Sequence, residues 1–156
     1  MSFALDLSKA CEKAKGQTEL IARKVMLDLF YKVINKSPVA YPPNWQSVKD
    51  WEVRKAAGTT KAKSPAYGYV GGTFRGNWNA SIGTVDKSVS ETKDKSGALT
   101  RTKVKAVIDS FSFDGKSIFL ANSLPYAIRL ENGWSEQTPS GMVRLSLVEI
   151  TNQYGA

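Results

Sequence analysis

The 156-residue sequence contains no histidine and only one cysteine, Cys11. Without histidine, a Ser-His-Asp or Cys-His nucleophile system is excluded, and the commonest general base and transition-metal ligand are missing. A single cysteine excludes a disulfide within the chain and fits a reducing compartment. Because Cys11 falls on the apolar stripe of a predicted helix, we expect it to be a small core residue rather than a reactive thiol.

Other features of enzymes and membrane proteins are also missing. No apolar run approaches the roughly 18 residues of a membrane span, and charge follows the N-terminus too soon for a signal-peptide core. The sequence contains neither a glycine-rich phosphate loop nor an Asp/Asn/Gly metal loop. Carboxylates such as Asp109 and Asp114, or Glu131 and Glu136, are ordinary surface residues rather than an acid–base pair. We therefore predict a non-enzymatic protein with no catalytic residue, cofactor or metal, assembled in the cytoplasm.

Positive charge is abundant: 22 Lys and Arg against 14 Asp and Glu give a net charge of +8. Such a surplus suggests contact with nucleic acid or with an acidic protein surface. The lysines are scattered, however, and a solvated basic surface explains them equally well. Basic and aromatic residues interleave around Tyr67, Tyr69, Arg75 and Trp78, as in proteins that bind single-stranded nucleic acid, although packing explains these aromatics as well. Both interpretations remain open.

Apolar residues recur every three or four positions over residues 4–36, which predicts a long amphipathic helix. Gly16 is a point where this helix can bend or break, and Pro38 marks its end. The shared apolar face comprises Cys11, Ala14, Thr18, Ile21, Val25, Leu29 and Val33.

Residues 40–72 show no sustained period and predict a long extended loop or arm. Its aromatic residues are too apolar to remain in water, so part of the loop should pack, either on its own domain or on a neighbouring subunit. These residues are Trp45, Trp51, Tyr67 and Tyr69.

The remaining segments predict short elements. "FRGNWNASIGTV", residues 74–85, alternates as a half-buried strand does, and a second short strand can follow at Val85–Val89. Helical spacing predicts a helix over residues 98–113, and "SIFLANS", residues 117–123, has the composition of a buried strand. The last segment favours a helix capped by Ser140. A chain of this length is predicted to form one domain, residues 1–156.

"PYAIRLENGWS", residues 125–135, predicts a short helical turn between the second strand and the last helix. Pro125 suits the first turn of a helix, and Gly133 suits a left-handed cap. Trp134 lies beyond that cap, where it is either a core residue or an interface anchor.

The order of several motifs resembles the tail-completion proteins (neck or minor tail proteins) of long-tailed bacteriophages. These motifs are "SPV" after the long helix, "GYVGGTFRGNWNASIG" and "IFLANSLPYAIRLENGWSEQTPSGMVRLS". The resemblance covers residues 15–150 and is most specific from Ile118 to Ser146. Many members of the family reach a Thr-Gly-Arg turn soon after Ser-Pro-Val, whereas here residues 40–72 intervene and the turn reads Gly-Gly-Thr.

The resemblance implies an α+β fold with a long N-terminal helix, an antiparallel sheet and further helices packed on one face. It also implies a virion protein without enzymatic activity or cofactor, which forms a ring at the head–tail junction and joins the tail to the head. Its implied partners are copies of itself and connector, tail-terminator or tail-tube proteins, with transient contact to genomic DNA and none to a membrane. The expected subunit-contact residues are Trp45, Trp51, Tyr67, Tyr69, Tyr126, Arg129, Glu131 and Trp134. The residues expected to face the lumen and its DNA are Arg75, Lys103 and Lys105. The rival functions are a sequence-independent single-stranded nucleic-acid-binding protein and a hydrolase that uses Asp and Lys.

Overall fold

The long helix α1, Phe3–Lys36, carries the core residues around which the other elements pack. The computed structural model describes residues 3–155, with side-chain environments from Lys9 onward, so residues 1, 2 and 156 of the predicted domain lie outside it. The other elements are a 3₁₀ helix (Pro42–Asn44), α2 (Gln46–Ala56), α3 (Thr73–Gly76), β1 (Asn79–Ile82), α4 (Ala98–Ser110), β2 (Ile118–Ala121), α5 (Ala127–Glu131) and α6 (Val143–Tyr154). The predicted α+β class is confirmed.

The core lies where the C-terminal half of α1 meets α4 and α6. Ile34 of α1 and Ile108 of α4 are fully buried, because the helical spacing of the apolar residues turns both helices toward each other. Burying each such side chain contributes about 1.5–3 kcal/mol relative to leaving it exposed. The buried cluster comprises Phe30, Val33, Ile34, Phe74, Trp78, Val104, Ile108, Leu124 and Met142.

The sheet consists of β1 and β2, paired antiparallel from Asn79 with Ala121 to Ile82 with Ile118. The predicted strand at Val85–Val89 is wrong, because side-chain amides hold this part of the chain in an irregular path. The Asn77 amide donates to Ser90 O at 2.9 Å and accepts from Ser90 N at 2.7 Å. These bonds replace the ladder that a third strand would need.

The predicted strand over residues 74–85 is only partly right, since its first residues form the helical turn α3. Phe74 and Trp78 are separated by four positions, a spacing that puts them on one side both of a strand and of a helix. Glycine is required at position 76, because a Cβ there would lie 2.5 Å from Thr92 O. The backbone of the turn therefore packs directly against the backbone at Thr92.

The segment 40–72 is more ordered than the predicted extended loop. Pro42 and Pro43 fall within the 3₁₀ helix, and α2 follows directly after Trp45. From Ala57 to Gly72 the chain is irregular, with turns at residues 57–58 and 65–68. The loop prediction is therefore wrong for α2 and describes only the second half of the segment.

The N-terminal half of α1 extends beyond the core, and Gly16 does not interrupt it. Arg23 joins α1 to the end of α4, because its guanidinium donates to the carbonyl oxygens of Ile108 and Phe111. Before it, Ile21 is 63% exposed, and Cys11 is exposed rather than a core residue as predicted. We call residues 9–21 the α1 arm.

Candidate functional site

Four of the predicted contact residues line one groove of about 720 Å³. They reach it from distant parts of the chain, and we call this surface the aromatic groove. It is defined by Trp45, Tyr69, Tyr126 and Trp134, and Phe74 and Tyr41 also line it. The rings of Trp45 and Tyr69 meet edge to face with centroids 4.7 Å apart, and the ring of Tyr126 lies 5.8 Å from that of Phe74.

The two sides of the groove are joined by a pair of hydrogen bonds between Val39 and Gln137. Val39 N donates to Gln137 Oε1 at 3.1 Å, and Gln137 Nε2 donates to Val39 O at 2.8 Å. The segment after α1 is thereby fixed to the segment after α5. Because the Gln137 side chain bonds to the backbone of Val39 within one chain, the two sides of the groove are held together without a partner.

Trp134 stands at the edge of the groove and is 72% exposed, so its interpretation as a core residue is wrong. Its backbone N–H donates to Arg129 O at 3.1 Å, and the Arg129 guanidinium lies 5.3 Å from the indole centroid. Gly133 has a φ of 85°, the left-handed turn expected of it, which ends α5 and directs the chain to Trp134. A large indole held in water in this way is suited to a partner surface.

The groove carries little charge. Among the described residues that line it, the only charged side chain is Glu136, although the whole chain has a net charge of +8. Burial raises the pKa of Tyr126, and the neighbouring Tyr69 raises it further, so Tyr126 remains a neutral phenol near neutral pH. Two cations lie beside its rings, however: the Arg129 guanidinium at 5.3 Å from the Trp134 ring centroid and Lys93 Nζ at 6.0 Å from that of Tyr69. The surface is therefore mainly aromatic, with charges of both signs around it.

Trp51 and Tyr67 do not reach the groove. Trp51 Nε1 donates to Ala62 O at 2.9 Å, and Lys55 Nζ lies 4.8 Å from its ring centroid. Tyr67 is 69% exposed, with Lys63 Nζ 4.2 Å from its ring centroid. Both aromatics interact with α2 or the following turns rather than with the other predicted contact residues.

Glu131 has a role within the chain that the sequence did not reveal. Its Oε2 atom accepts hydrogen bonds from Met142 N and Val143 N, and its Oε1 atom accepts one from Arg144 N, all at 2.9 Å. Glu131 rather than Ser140 therefore caps α6, and its carboxylate is already occupied. A role for Glu131 between subunits would have to compete with this cap.

The three basic residues expected to face DNA are not brought together. Arg75 donates from Nη2 to the carbonyl oxygens of Ser37 at 2.6 Å and Asn35 at 3.0 Å, so its guanidinium is used to hold the end of α1. Lys103 and Lys105 are exposed on α4, and Lys105 forms an ion pair with Asp109. Of these three residues, Lys103 and Lys105 are exposed to a polyanion, although the Lys105 ammonium group already pairs with Asp109.

The α1 arm is a second surface without an intramolecular partner. Apart from half-buried Glu19, every residue from Lys9 to Ile21 is exposed, and Leu20 reaches 69%. The predicted apolar stripe continues along this arm, so the side chains that sequence periodicity placed in the core face water here. Leu20 and groove residue Tyr41 were missed as contact candidates, although apolar residues at positions that remain exposed are the signal expected of an interface.

Within the described residues, no group of three or more acidic or cysteine side chains is arranged to hold a metal ion. Among residues 3–155, no helix combines the length and apolar character that crossing a membrane requires. The chain shows no significant match to known protein families, to curated proteins or to solved structures. Support for a function therefore comes from the chain's own surfaces and from the motifs of its sequence.

Proposed function

We propose that this chain is a structural subunit of a long-tailed bacteriophage, which assembles as a ring at the head–tail junction, completes the tail and joins it to the head. The ordered motifs from Ile118 to Ser146 support this proposal through their resemblance to neck proteins. They contribute β2, α5 and the start of α6, and with them the groove residues Tyr126 and Trp134. The most specific part of the resemblance therefore also builds one side of the exposed aromatic surface.

The observation that carries the proposal is the placement of two unlike surfaces at opposite ends of α1. The aromatic groove includes Pro38 and Ala40, which directly follow the end of α1, whereas the α1 arm extends from its other end. At a rise of about 1.5 Å per residue, Ile21 lies about 22 Å along the axis from Lys36. A subunit with two different surfaces pointing in different directions forms heterologous contacts, which close into a ring when the rotation allows it.

In such a ring the basic surplus faces the channel through which DNA passes. Lys103 and Lys105 on the exposed side of α4 are the candidates for this contact. Attraction between lysines and phosphates carries no sequence information and weakens steeply with salt. We therefore propose a lumen through which DNA passes without recognition of its base sequence.

Joining of heads to tails provides the direct test. In cells that produce the phage without this gene, we expect full heads and complete tail tubes to accumulate separately, as counted by electron microscopy. Adding the purified chain to the mixed extract should restore joined particles, with labelled protein located at the neck. Joined particles at normal yield in the absence of the gene would reject the proposal.

Binding of single-stranded nucleic acid is the second candidate, favoured by lysines beside exposed aromatic rings. Lys63 Nζ lies 4.2 Å from the ring centroid of Tyr67, and Lys93 Nζ lies 6.0 Å from that of Tyr69. A ring subunit should bind oligonucleotides weakly and lose them as salt rises. Tight, salt-resistant binding that Tyr67→Ala abolishes would favour this second function instead.

A further inference from the structure

The α1 arm continues the apolar stripe of a helix whose other half is covered by its own chain. Ile21 and Ala14 lie on the same side as the buried end of the stripe, seven residues apart and therefore nearly in line. Isolated helices of this length are marginal in water, so a helical arm without neighbours gains from a surface that covers its stripe. No element of the described chain supplies that surface.

The arm cannot use the aromatic groove of its own chain. α1 is one continuous helix from Phe3 to Lys36, and the groove begins just beyond Lys36. Cys11 therefore lies about 38 Å along the axis from the residues that lead into the groove, at about 1.5 Å per residue. The stripe and the groove can meet only between two copies.

The two surfaces complement each other in shape and in charge. The arm presents small side chains, Ala14 and Thr18, with Ile21 as one larger apolar residue, whereas the groove presents large rings with open space between them. Over residues 9–21 the arm has three lysines and two glutamates, a net charge of 3 − 2 = +1. The groove has Glu136 in its lining and the cations Arg129 and Lys93 beside its rings, so both the lysines and the glutamates of the arm have opposite charges to meet.

We infer that the α1 arm of one copy docks in the aromatic groove of the next copy, and that this repeated contact builds the ring. The contact rests on the proposed self-assembly, and the arm and the groove are the two elements that form it. It is heterologous, because each copy gives its arm to one neighbour and its groove to the other. Trp134, exposed at the edge of the groove, is the anchor that covers Ile21 of the neighbouring arm.

A pair of complementary variants tests this contact. Ile21→Glu places a charge on the stripe, and Trp134→Ala removes the anchor; both side chains are exposed, so the fold should survive. We expect each variant alone to lose the ring and run as a monomer in native mass spectrometry. Mixed together they should form a one-to-one dimer that grows no further, because the mixture retains one intact arm and one intact groove per pair.

Matched controls distinguish the contact from a general effect of substitution. Gly16→Glu adds the same charge on the opposite side of the arm, where an added Cβ meets nothing within 4 Å. Val53→Ala truncates an apolar side chain that is 70% exposed and lies outside the groove. Both controls should keep the ring. Loss of the ring in the controls, or a mixture of the two test variants that stays monomeric, would overturn the inference.

The native cysteine offers a second test on the unmodified sequence. Cys11 is the chain's only cysteine and is exposed on the arm, so a benzophenone maleimide labels it selectively. After illumination of a mixture of heavy- and light-isotope chains, we expect cross-links between copies from Cys11 to peptides that contain Tyr126 or Trp134. Cross-links to the partner copy's α1 instead, or a wild-type chain that is monomeric at its highest soluble concentration, would reject the contact.

These outcomes separate the contact from the proposed function. A ring whose cross-links fall outside the groove rejects the arm–groove contact and leaves the neck role standing. A ring with the expected cross-links, in a phage whose heads and tails join without it, rejects the neck role and leaves the contact standing.

Discussion

Glu131 Oε2 accepts a hydrogen bond from Val143 N at 2.9 Å, and this bond ties the last residue of α5 to the first residue of α6. The first N–H groups of a helix have no partner within the helix, and a carboxylate placed there also interacts favourably with the helix dipole. α5 leads into the groove residue Trp134, and α6 packs on α1. One side chain therefore connects the groove to the core.

Removing this cap should destabilise the whole domain. We expect Glu131→Ala to lower the free energy of unfolding by about 1.5–3 kcal/mol, because three N–H groups lose a charged acceptor. Glu131→Gln should cost less, since its remaining carbonyl oxygen still accepts. Urea unfolding at neutral pH measures both changes, and Glu136→Ala, an exposed neighbour, is the control. Equal unfolding midpoints for Glu131→Ala and Glu136→Ala would contradict the cap.

A buried hydroxyl joins the indole of Trp78 to the end of α1. Trp78 Nε1 donates to Ser37 Oγ at 2.6 Å, and Ser37 Oγ donates to Val33 O at 2.8 Å. Since Ser37 is fully buried, Ser37→Ala leaves the indole N–H without a partner and should cost about 1–3 kcal/mol. In a double-mutant cycle with Trp78→Phe, the combined loss should be about 1 kcal/mol smaller than the sum of the single losses. Strict additivity would show that the bond contributes nothing.

Two glycines with similar backbone angles should respond differently to alanine. Gly141 has a φ of 78° and Gly83 a φ of 82°, both in the left-handed region. A Cβ on Gly141 would lie 2.4 Å from Glu131 O, whereas at Gly83 it meets nothing within 4 Å. We expect Gly83→Ala to cost about 1–2 kcal/mol and Gly141→Ala about 2–5 kcal/mol by thermal and urea unfolding. Equal losses in the free energy of unfolding would mean that the positive φ angle alone, and not the close contact with Glu131 O, determines the cost of the substitution.

Acid should weaken the domain partly through Asp94 at the start of α4. Its Oδ2 atom accepts hydrogen bonds from the backbone N–H and the hydroxyl of Thr100, both at 2.8 Å. Burial raises the pKa of Asp94, but the hydrogen bonds from Thr100, Ser96 and the backbone of Gly97 together outweigh it. The pKa therefore lies below its ordinary value of 3.8.

Because the folded-state pKa of Asp94 is the lower one, its stabilisation is complete above its ordinary pKa and is lost as pH falls through the folded value. We expect Asp94→Asn to be less stable than the wild type at neutral pH, with the difference shrinking as the pH falls below 3.8. Urea-unfolding midpoints across an acid series measure this. A difference independent of pH would exclude the carboxylate as its source.

The predictable part of the fold is the part governed by local sequence patterns. The helices α1, α4 and α6 were predicted because their apolar residues repeat at the helical period, and β2 was predicted from its β-branched and aromatic composition. α2 was missed because it buries only Val48 and therefore carries no clear stripe. The turn at Phe74 was read as a strand, because a four-residue spacing satisfies both periods.

The composition of the groove was harder to predict, since its residues lie far apart in the sequence. Trp45 and Tyr69 were expected to pack because they are too apolar for a loop, and both line the groove, but nothing local indicated that Tyr126 and Trp134 line it as well. Arg75 looked like a DNA-facing residue, yet its acceptors Asn35 and Ser37 lie 40 and 38 positions away. Likewise, periodicity placed Ile21 on an apolar stripe but could not show where the chain stops covering that stripe.

The pairing of α1 with α6 determines when the protein can finish folding. Glu149 of α6 binds Lys32 and Lys36 of α1 across 117 and 113 positions. During synthesis α1 emerges before α6, and the face of α1 that α6 covers stays open until residues 143–154 have left the ribosome. Contacts that close so long a loop form late and slow the last step. A chain stalled before residue 143 is therefore a target for chaperones and proteases rather than a smaller folded protein.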